Sequence, residues 1–316
     1  MIIKQPDDKA GDIECLKDLA ARSDVSPEVR KSIEQEIRYI QSGMKGEAEA
    51  AYEMEFHFGA SKNWMLIHDL RIECEGRVAQ IDHLMLNRFM EIYVCESKRF
   101  GEGVAINDYG EFSAFYGGKP YGVPSPLEQN NRHILVLESV FKSGMVAPPK
   151  RLGFNITPSL IGLVLVSKKA RISRPKTKLD DLDCVIKNDQ IRSRIERDLE
   201  EDNNPLNMAR LIGQDTLADF AHRLVVMHKP ITFDWAAKFG ISAEYPVAME
   251  KAATVVKTEE PAPAAQVESE KKSKLICVSC GATVSYAVAK FCWSNKSRFG
   301  GNVFCMDCQK TVSAKS

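Results

Sequence analysis

The sequence predicts an α/β fold followed by a small cysteine-rich unit, and three observations carry this prediction. Amphipathic helical patterns and β-type runs share the first 245 residues. The stretch from Pro246 to Lys274 is rich in Ala, Glu, Lys, Val and Pro and lacks an apolar period, so we interpret it as a flexible linker. Beyond it, four of the nine cysteines form two closely spaced pairs.

The composition fits a globular protein of about two domains. The chain has 316 residues, 44% hydrophobic and 27% charged, which excludes wholesale disorder and collagen-like repeats. The N-terminus has no apolar run of secretory length, and the most apolar run, Leu160 to Val166, is far shorter than the ~20 residues that span a bilayer. We therefore expect a cytoplasmic protein without a membrane partner, with cysteines that serve as thiols or metal ligands.

The first predicted helices form an N-terminal extension, residues 1 to 42, and the start of the next domain. Ser26 and Pro27 make an N-cap and N1 pair that opens an amphipathic helix, and Gly43 is expected to end it. A second helical stretch is expected from about Gly46 and Glu47.

Three β-type runs follow and predict a meander. They are Trp64 to Cys74, Val78 to Leu86 and Met90 to Lys98, with Glu75 and Gly76 as the first turn. A glycine-rich region follows, in which Gly117 and Gly118 predict a hairpin, and a capping box at Ser125 with Pro126 opens a helix to about Lys142. An accessory α/β region, residues 144 to 245, contains a buried strand at Leu160 to Ser167 and helices at Asp189 to Glu201 and Asp215 to Met227.

A pair of carboxylates and an amine are predicted to converge on the second and third β-runs. Glu96 and Lys98 alternate onto one face of a strand, and Asp82 can meet them from the neighbouring strand. Oxygen ligands suit Mg²⁺ or Mn²⁺, which could be held by Asp82, Glu96 and a backbone carbonyl beside Glu96. Such a metal would activate water and neutralise phosphate charge, with Lys98 positioning the nucleophile or stabilising the transition state.

The bare pattern of an acid, any residue and lysine has a plainer interpretation. It also occurs at Asp7 to Lys9, which we expect to be a disordered end, and at Glu270 to Lys272 in the linker. A salt bridge from Lys98 to Asp82 or Glu96 would explain the triplet equally well. Placement on strands with buried-looking neighbours favours a site, because burying an unpaired charge is costly.

Four sequence blocks in order resemble the nuclease-related domain called NERD, a member of the PD-(D/E)xK nuclease superfamily. The blocks are Lys45-Gly46-Glu47 with Ala50-Ala51-Tyr52, Ile81-Asp82-His83-Leu84, Val94-Cys95-Glu96-Ser97-Lys98, and Pro126-Leu127-Glu128-Gln129. The resemblance covers residues 43 to 143 and implies a restriction-endonuclease-like mixed sheet flanked by helices. The turn Asn87-Arg88-Phe89 departs from the glycine-containing turn common in the family.

The resemblance also implies roles for individual residues. Asp82 and Glu96 would be metal ligands and Lys98 the catalytic lysine. Glu47 would be a helix acid approaching the metal, and Gln129 a polar group pointing at the site or the phosphodiester. Glu47 near a helix start and Gln129 in a first turn also have ordinary structural explanations, and His83 is expected to be a packed histidine.

The C-terminal cysteines, residues 275 to 316, predict a structural zinc ribbon. Cys277 and Cys280 form one CxxC knuckle, Cys305 and Cys308 another, and 24 residues separate them. Two knuckles complete a tetrahedral Zn²⁺ site, whereas a redox CxxC would explain only one pair. Four-cysteine ribbons of this kind resemble those at the C-termini of bacterial topoisomerases. Cys292 is expected to pack in the interior.

Cations alternate with aromatic rings between the two knuckles. This arrangement is typical of surfaces that bind single-stranded nucleic acid, with candidate contacts at Lys290, Trp293, Lys296, Arg298 and Phe299. The alternative is a small core that includes Phe299.

The sequence thus leaves two functional hypotheses. The first is a metal-dependent nuclease acting on DNA, with a structural zinc ribbon that aids binding. The second is a nuclease-fold module that binds DNA or protein without catalysis. The 43 basic and 43 acidic residues cancel overall, but residues 271 to 316 carry eight basic and one acidic, or +7, against −7 for the preceding residues.

Overall fold

A computed structural model describes residues 1–177, 179, 182–201, 205–242, 276–284, 288–289, 292, 295–299 and 302–311. The chain divides into two compact units, Met1–Tyr245 and Pro246–Ser316. None of the described helices combines the length and the apolar composition that crossing a membrane requires.

The first unit contains twelve described strands and six α-helices. The strands are β1 (Ile2–Lys4), β2 (Trp64–Cys74), β3 (Arg77–Asn87), β4 (Glu91–Lys98), β5 (Gly103–Ile106), β6 (Phe112–Tyr116), β7 (Lys119–Val123), β8 (Lys150–Arg151), β9 (Phe154–Asn155), β10 (Ser159–Val166), β11 (Arg171–Ser173) and β12 (Val185–Lys187). The helices are α1 (Ala10–Ala21), α2 (Pro27–Phe58), α3 (Pro126–Lys142), α4 (Ile191–Glu201), α5 (Gln214–Val226) and α6 (Trp235–Lys238). Three 3-10 turns cover Leu182–Cys184, Asn188–Gln190 and Pro205–Arg210.

The main sheet has six strands in the order β1, β2, β3, β4, β10, β12. β2, β3 and β4 form an antiparallel meander, whereas β1, β10 and β12 join their neighbours in parallel. Helices α2 and α4 pack on one apolar face, and α3 and α5 pack on the other. This mixed sheet with helices on both faces confirms the predicted α/β class.

The remaining strands form two smaller sheets. β11, β5, β6 and β7 make a four-stranded sheet, and β8 pairs with β9. β6 and β7 form the hairpin predicted at Gly117 and Gly118, both of which have positive φ.

α2 is one continuous helix, which corrects the predicted break at Gly43. Ser26 caps it, accepting a hydrogen bond from the Val29 amide, and it runs to Phe58 through both Gly43 and Gly46. An added Cβ at Gly46 would lie 3.0 Å from the Cβ of Arg99, just beyond β4. Gly46 therefore lets the helix approach the end of a strand, and the predicted boundary between residues 42 and 43 falls inside α2.

The first residues are ordered structure rather than the disordered end expected from sequence. β1 pairs in parallel with β2, and the Lys4 ammonium donates to the Asp7 carboxylate and to the carbonyls of His68 and Asp69. These contacts tie the N-terminal segment to the middle of β2.

The hairpin between β3 and β4 is closed by Asn87, although it lacks glycine. The Asn87 Oδ1 accepts hydrogen bonds from the amides of Phe89 and Glu91, and Met90 takes a positive φ of 61°. Side-chain bonding of this kind stabilises turns without glycine. The hairpin pairs His83 with Cys95, so Asp82, which precedes His83, lies beside Glu96, which follows Cys95.

Candidate functional site

Asp82 lies where β3 and β4 separate. Its Oδ2 accepts a hydrogen bond from the Ser97 amide at 2.7 Å, one residue beyond Glu96. On the other side of β4, β10 pairs Val164 with Glu96 and Val166 with Lys98. The three predicted residues therefore lie at one end of the central strands.

Glu96, Lys98 and Gln129 form a direct hydrogen-bonded set. The Lys98 ammonium donates to Glu96 Oε1 at 2.6 Å and to Gln129 Oε1 at 3.0 Å. Glu96 is only 2% exposed, so it lies at the base of the site, while Lys98 is partly exposed. Gln129 lies in the first turn of α3, after the Ser125 cap.

α3 is held over the sheet by a buried amide. Asn130 Nδ2 donates to the carbonyls of Val94 in β4 and Leu163 in β10, at 2.8 and 3.2 Å. An added Cβ at Gly162 would lie 3.2 Å from that same Nδ2, so glycine permits the close approach. These contacts fix the position of Gln129 relative to Lys98.

Glu47 reaches the site from α2 and bonds to a lysine that sequence reasoning had dismissed. The Lys9 ammonium donates to Glu47 Oε2 at 2.9 Å and lies 3.8 Å from Asp69 Oδ2. Burial acts to lower the pKa of Lys9, but Glu47, Asp69 and Asp82 outweigh it and raise that pKa. Asp82 is close enough to both Glu47 and Glu96 for mutual charge repulsion.

Burial and like charge raise the pKa of both central carboxyls. Burial raises the pKa of Asp82 well above its usual range, and the charges of Glu96 and Glu47 add to this effect. Burial also raises the pKa of Glu96, against the opposing charge and hydrogen bond of Lys98. Carboxyls in such an environment are stabilised as anions by a nearby cation.

His133 is a further site residue that sequence reasoning missed. Its Nδ1 lies 3.6 Å from Glu96 Oε2, and within the described ranges both buried atoms lack a hydrogen-bond partner. Burial, Lys98 and Arg132 lower the pKa of His133 to about 4. Its position one helical turn after Gln129 was the available signal.

A buried histidine pair lies behind Asp82. His83 is 1% exposed, which confirms that it is a packed residue. Its Nδ1 lies 2.8 Å from the Nδ1 of His68, and its Nε2 lies 3.0 Å from Ser97 Oγ. Ser97 therefore connects this pair to the Asp82 carboxylate through its own amide.

The four predicted cysteines form a compact cluster in the second unit. Their sulfur atoms all lie within 4.8 Å of one another, and Cys280 Sγ is 3.6 Å from Cys305 Sγ. Four sulfurs at ~2.3 Å from a tetrahedral metal would be about 3.8 Å apart, so this donor set fits a metal ion. Within the described ranges it is the one group of three or more ligand side chains so close together.

Hydrogen bonds within the cluster stabilise two thiolates. The backbone amide of Cys305 lowers the pKa of Cys277 to about 6, and the amide of Cys308 lowers the pKa of Cys305. The hydrogen bond to Cys305 raises the pKa of Cys308 to about 12. A cluster that combines thiols of lowered pKa with thiols of raised pKa suits a site that releases protons when metal binds.

The described remainder of the second unit is a small packed ribbon. An isolated bridge joins Ile276 to Thr283, and the helices are α7 (Lys296–Phe299) and α8 (Cys308–Thr311). Cys292 is fully buried and its sulfur bonds to the backbone of Phe304, which confirms its packing role.

The predicted nucleic-acid contacts divide into three groups. Phe299 is 3% exposed and its ring lies 5.8 Å from that of Phe304, so it belongs to the small core and offers no face for base stacking, which corrects its predicted contact. Arg298 is exposed, with its guanidinium over the Phe299 ring. Lys290, Trp293 and the side chain of Lys296 lie outside what the structure describes.

The fold and site together define an α/β protein whose central sheet carries a carboxylate and lysine centre, followed by a cysteine cluster compatible with a small zinc ribbon. Residues 42–161 match the family model of NERD, the nuclease-related domain. This segment is therefore a NERD domain, which implies the PD-(D/E)xK superfamily and confirms the resemblance seen in the sequence. Comparison with curated proteins and with solved structures gave no match.

Proposed function

We propose that the protein is a metal-dependent nuclease that hydrolyses phosphodiester bonds in DNA. The observation that carries this proposal is the contact of Lys98 with Glu96 and Gln129, beside Asp82, within a nuclease-related domain. Two carboxylates, an ammonium and an amide at one end of the central strands are groups that metal-dependent phosphodiester hydrolysis can use.

Each residue has a defined role in this proposal. Asp82 and Glu96 hold the divalent cation, Mg²⁺ or Mn²⁺, together with a backbone carbonyl beside Glu96. When bound, that cation supplies an activated water and neutralises charge on the phosphate. Lys98 is held by Glu96 and Gln129, so its ammonium is oriented before substrate arrives and stabilises developing negative charge.

The cysteine ribbon is proposed to bind structural zinc and to assist DNA binding. Four sulfurs within 4.8 Å of one another favour Zn²⁺. The +7 charge of residues 271 to 316 attracts phosphate, whereas the −7 charge of residues 1 to 270 repels it.

A cleavage assay on the full chain tests the nuclease. Labelled single- and double-stranded DNA of one sequence is incubated with Mg²⁺ or Mn²⁺ and the zinc-loaded protein. We expect cleavage that falls at least about a hundredfold in Asp82→Asn and Lys98→Met. Lys142→Met is the matched control, because Lys142 is exposed and pairs with Glu138 far from this site. Cleavage that survives Asp82→Asn overturns the assignment.

One observation favours a non-catalytic DNA-binding module as a second candidate. The Asp82 carboxylate bonds to the Ser97 amide and Glu96 bonds to Lys98, so both have protein partners. DNA binding that is salt-sensitive but unaffected by divalent metal and by Glu96→Gln, with no cleavage, would favour this module. Divalent metal binding that depends on Glu96 favours the enzyme.

A further inference from the structure

Lys9 is a second ammonium near the proposed metal site, where it bonds to Glu47. It contacts Glu47 Oε2 at 2.9 Å and lies 3.8 Å from Asp69 Oδ2, and Asp82 is near enough to act on its charge. Lys9 belongs to the connection between β1 and α1, outside the segment that matches the nuclease-related domain. Glu47 and Asp69 therefore both lie within 4 Å of one fixed cation that the N-terminal segment supplies, and Asp82 lies opposite Asp69 in the register of β2 and β3.

The position of this ammonium is built into the fold. Asp69 takes a left-handed φ of 52° inside β2, a conformation that non-glycine residues rarely adopt in a strand. Its carboxylate is 9% exposed and accepts hydrogen bonds from the Asp7 amide and from Gln80, both at 3.4 Å. Lys4 bonds to the carbonyls on either side of this turn of the backbone, so the chain that carries Lys9 is fastened to β2.

The charges of the site balance one divalent cation when Lys9 is included. Four carboxylates, Glu47, Asp69, Asp82 and Glu96, carry a formal −4, and Lys9 and Lys98 carry +2. Of the other charged groups nearby, Asp7 bonds to Lys4 and His228 and Arg71 bonds to Glu73. Asp8 and Asp12 line the adjoining cavity and accept hydrogen bonds from the Ala10 amide and the Trp235 indole, respectively, so the count covers only the acids on which Lys9 or Lys98 acts. Without Lys9 the balance would be −3, which favours an additional cation.

Carboxylates shared between ions are the usual basis of two-metal phosphodiester sites, in which the ions lie about 3.5 to 4 Å apart. Here the charges of Glu96 and Glu47 both act on Asp82, and Asp82 lies opposite Asp69 in the register of β2 and β3, between the pairs His68–His83 and Leu70–Ile81, so it could be shared in this way. The Glu47 side already holds an ammonium. Lys9, Glu47 and Asp69 also line a cavity of about 420 Å³, through which ions can reach this side.

We propose that the Lys9 ammonium takes the place of a second metal ion, so that the site binds a single divalent cation. This inference rests on the proposed function for the first ion, held by Asp82 and Glu96. Lys9 provides fixed positive charge on the Glu47 side, where a second ion would otherwise stabilise the negative charge of the phosphodiester.

The stoichiometry of Mn²⁺ binding tests the proposal without a cleavage assay. Zinc-loaded full-length protein is titrated with Mn²⁺, and bound ions are counted by electron paramagnetic resonance and calorimetry. We expect one Mn²⁺ in the wild type, lost in Asp82→Asn, and two in Lys9→Ala. Lys9→Arg keeps the positive charge, and Lys17→Ala removes an exposed lysine of α1, so each should bind one.

The outcomes separate this inference from the proposed nuclease. One ion in the wild type and two in Lys9→Ala support both. One ion in each protein, or two in the wild type, overturns the role of Lys9 alone. No Mn²⁺ in either protein overturns both proposals. Circular dichroism and thermal unfolding of Lys9→Ala verify that the variant is folded, and the double variant Lys9→Ala with Glu47→Gln should return to one ion.

Discussion

His133 and Glu96 face each other with buried atoms that lack hydrogen-bond partners among the described residues. The imidazole has a pKa of about 4 and is therefore neutral at pH 7, so it excludes water from Glu96 without neutralising its charge. This exclusion helps to raise the pKa of Glu96, for which burial is the largest cause. In the proposed metal site, the affinity of Glu96 for a cation would therefore depend on the packing of α3 against β4.

A buried neutral histidine predicts how stability changes with pH. Burial, followed by the charge of Lys4, lowers the pKa of His68 from 6.5 to about 4. Between these values the unfolded chain binds a proton at His68 that the folded protein does not, so the free energy of unfolding falls as the pH falls. His68 should account for about 1.5 kcal/mol of the loss between pH 6.5 and pH 5.

Denaturant unfolding of wild type and His68→Gln at several pH values measures this effect. The variant should lose less stability on acidification, because it has no group to protonate at this position. His222→Gln is the matched control, since His222 is exposed on α5. Equal pH dependence in wild type and His68→Gln would contradict the assignment.

Residue-scale features were predictable from sequence only where they followed strand alternation or a family motif. Asp82, Glu96, Lys98 and Gln129 were found in this way. Lys9 was not, because its bond to Glu47 joins residues 38 positions apart, and no local pattern encodes that contact.

At the scale of elements, α2 carries Glu47, and the close approach of the neighbouring Gly46 to Arg99 fixes the position of that part of the helix. Gly43 and Gly46 both lie inside this helix, and only their surroundings differ. An added Cβ at Gly46 lies 3.0 Å from the Cβ of Arg99, whereas at Gly43 the nearest atom is the flexible end of Glu47 at 3.7 Å.

The two glycines therefore provide a matched pair of variants. Gly46→Leu should lower the free energy of unfolding by about 1 to 3 kcal/mol, because the helix must move away from β4. Gly43→Leu should raise it by a few tenths to about 1 kcal/mol, because leucine favours the helix. Chemical denaturation measures both. A Gly46→Leu protein as stable as Gly43→Leu would show that the approach to Arg99 is not constrained.

The three strands of the meander were predicted almost to the residue, because apolar runs and the turn at Glu75 mark their ends. In β2 and β3, however, the alternation of side chains between the two faces of the sheet is interrupted once, and the sequence did not predict this interruption. Ile67 and Leu70 of β2 contribute to the same apolar cluster although they are three positions apart, and so do Ile81 and Leu84 of β3. The irregularity lies where Asp69 faces Asp82, between the pairs His68–His83 and Leu70–Ile81, and it depends on the left-handed φ of Asp69, which composition does not reveal.

For the whole molecule, the sheet extends beyond the segment that defines the family. The family match ends at residue 161, inside β10, yet β10 continues to Val166, which pairs with Lys98. Sequence predicted a buried strand here but not its insertion beside β4, because a parallel crossover depends on long-range packing. The accessory region thus contributes directly to the candidate site.

The separation of charge along the chain leads to a prediction about DNA binding. Residues 271 to 316 carry +7 and the rest carries −7. Binding by counterion release gives a salt slope of about −0.9 for each phosphate contact on duplex DNA. Deleting Lys271 to Ser316 should therefore weaken DNA binding. It should also make the slope of log affinity against log salt concentration less negative, by at most about 6 if seven phosphate contacts are lost.

A second variant separates the folded ribbon from its charge alone. Cys277→Ser with Cys280→Ser keeps every lysine and arginine but removes two ligands of the cluster, so zinc should be lost and the ribbon should unfold. If the folded ribbon presents Arg298 and its neighbours to phosphate, this variant should weaken DNA binding nearly as much as the deletion does. If charge alone suffices, binding should remain close to that of the wild type. Unchanged affinity and salt slope in the deletion itself would show that the first unit binds DNA without the tail.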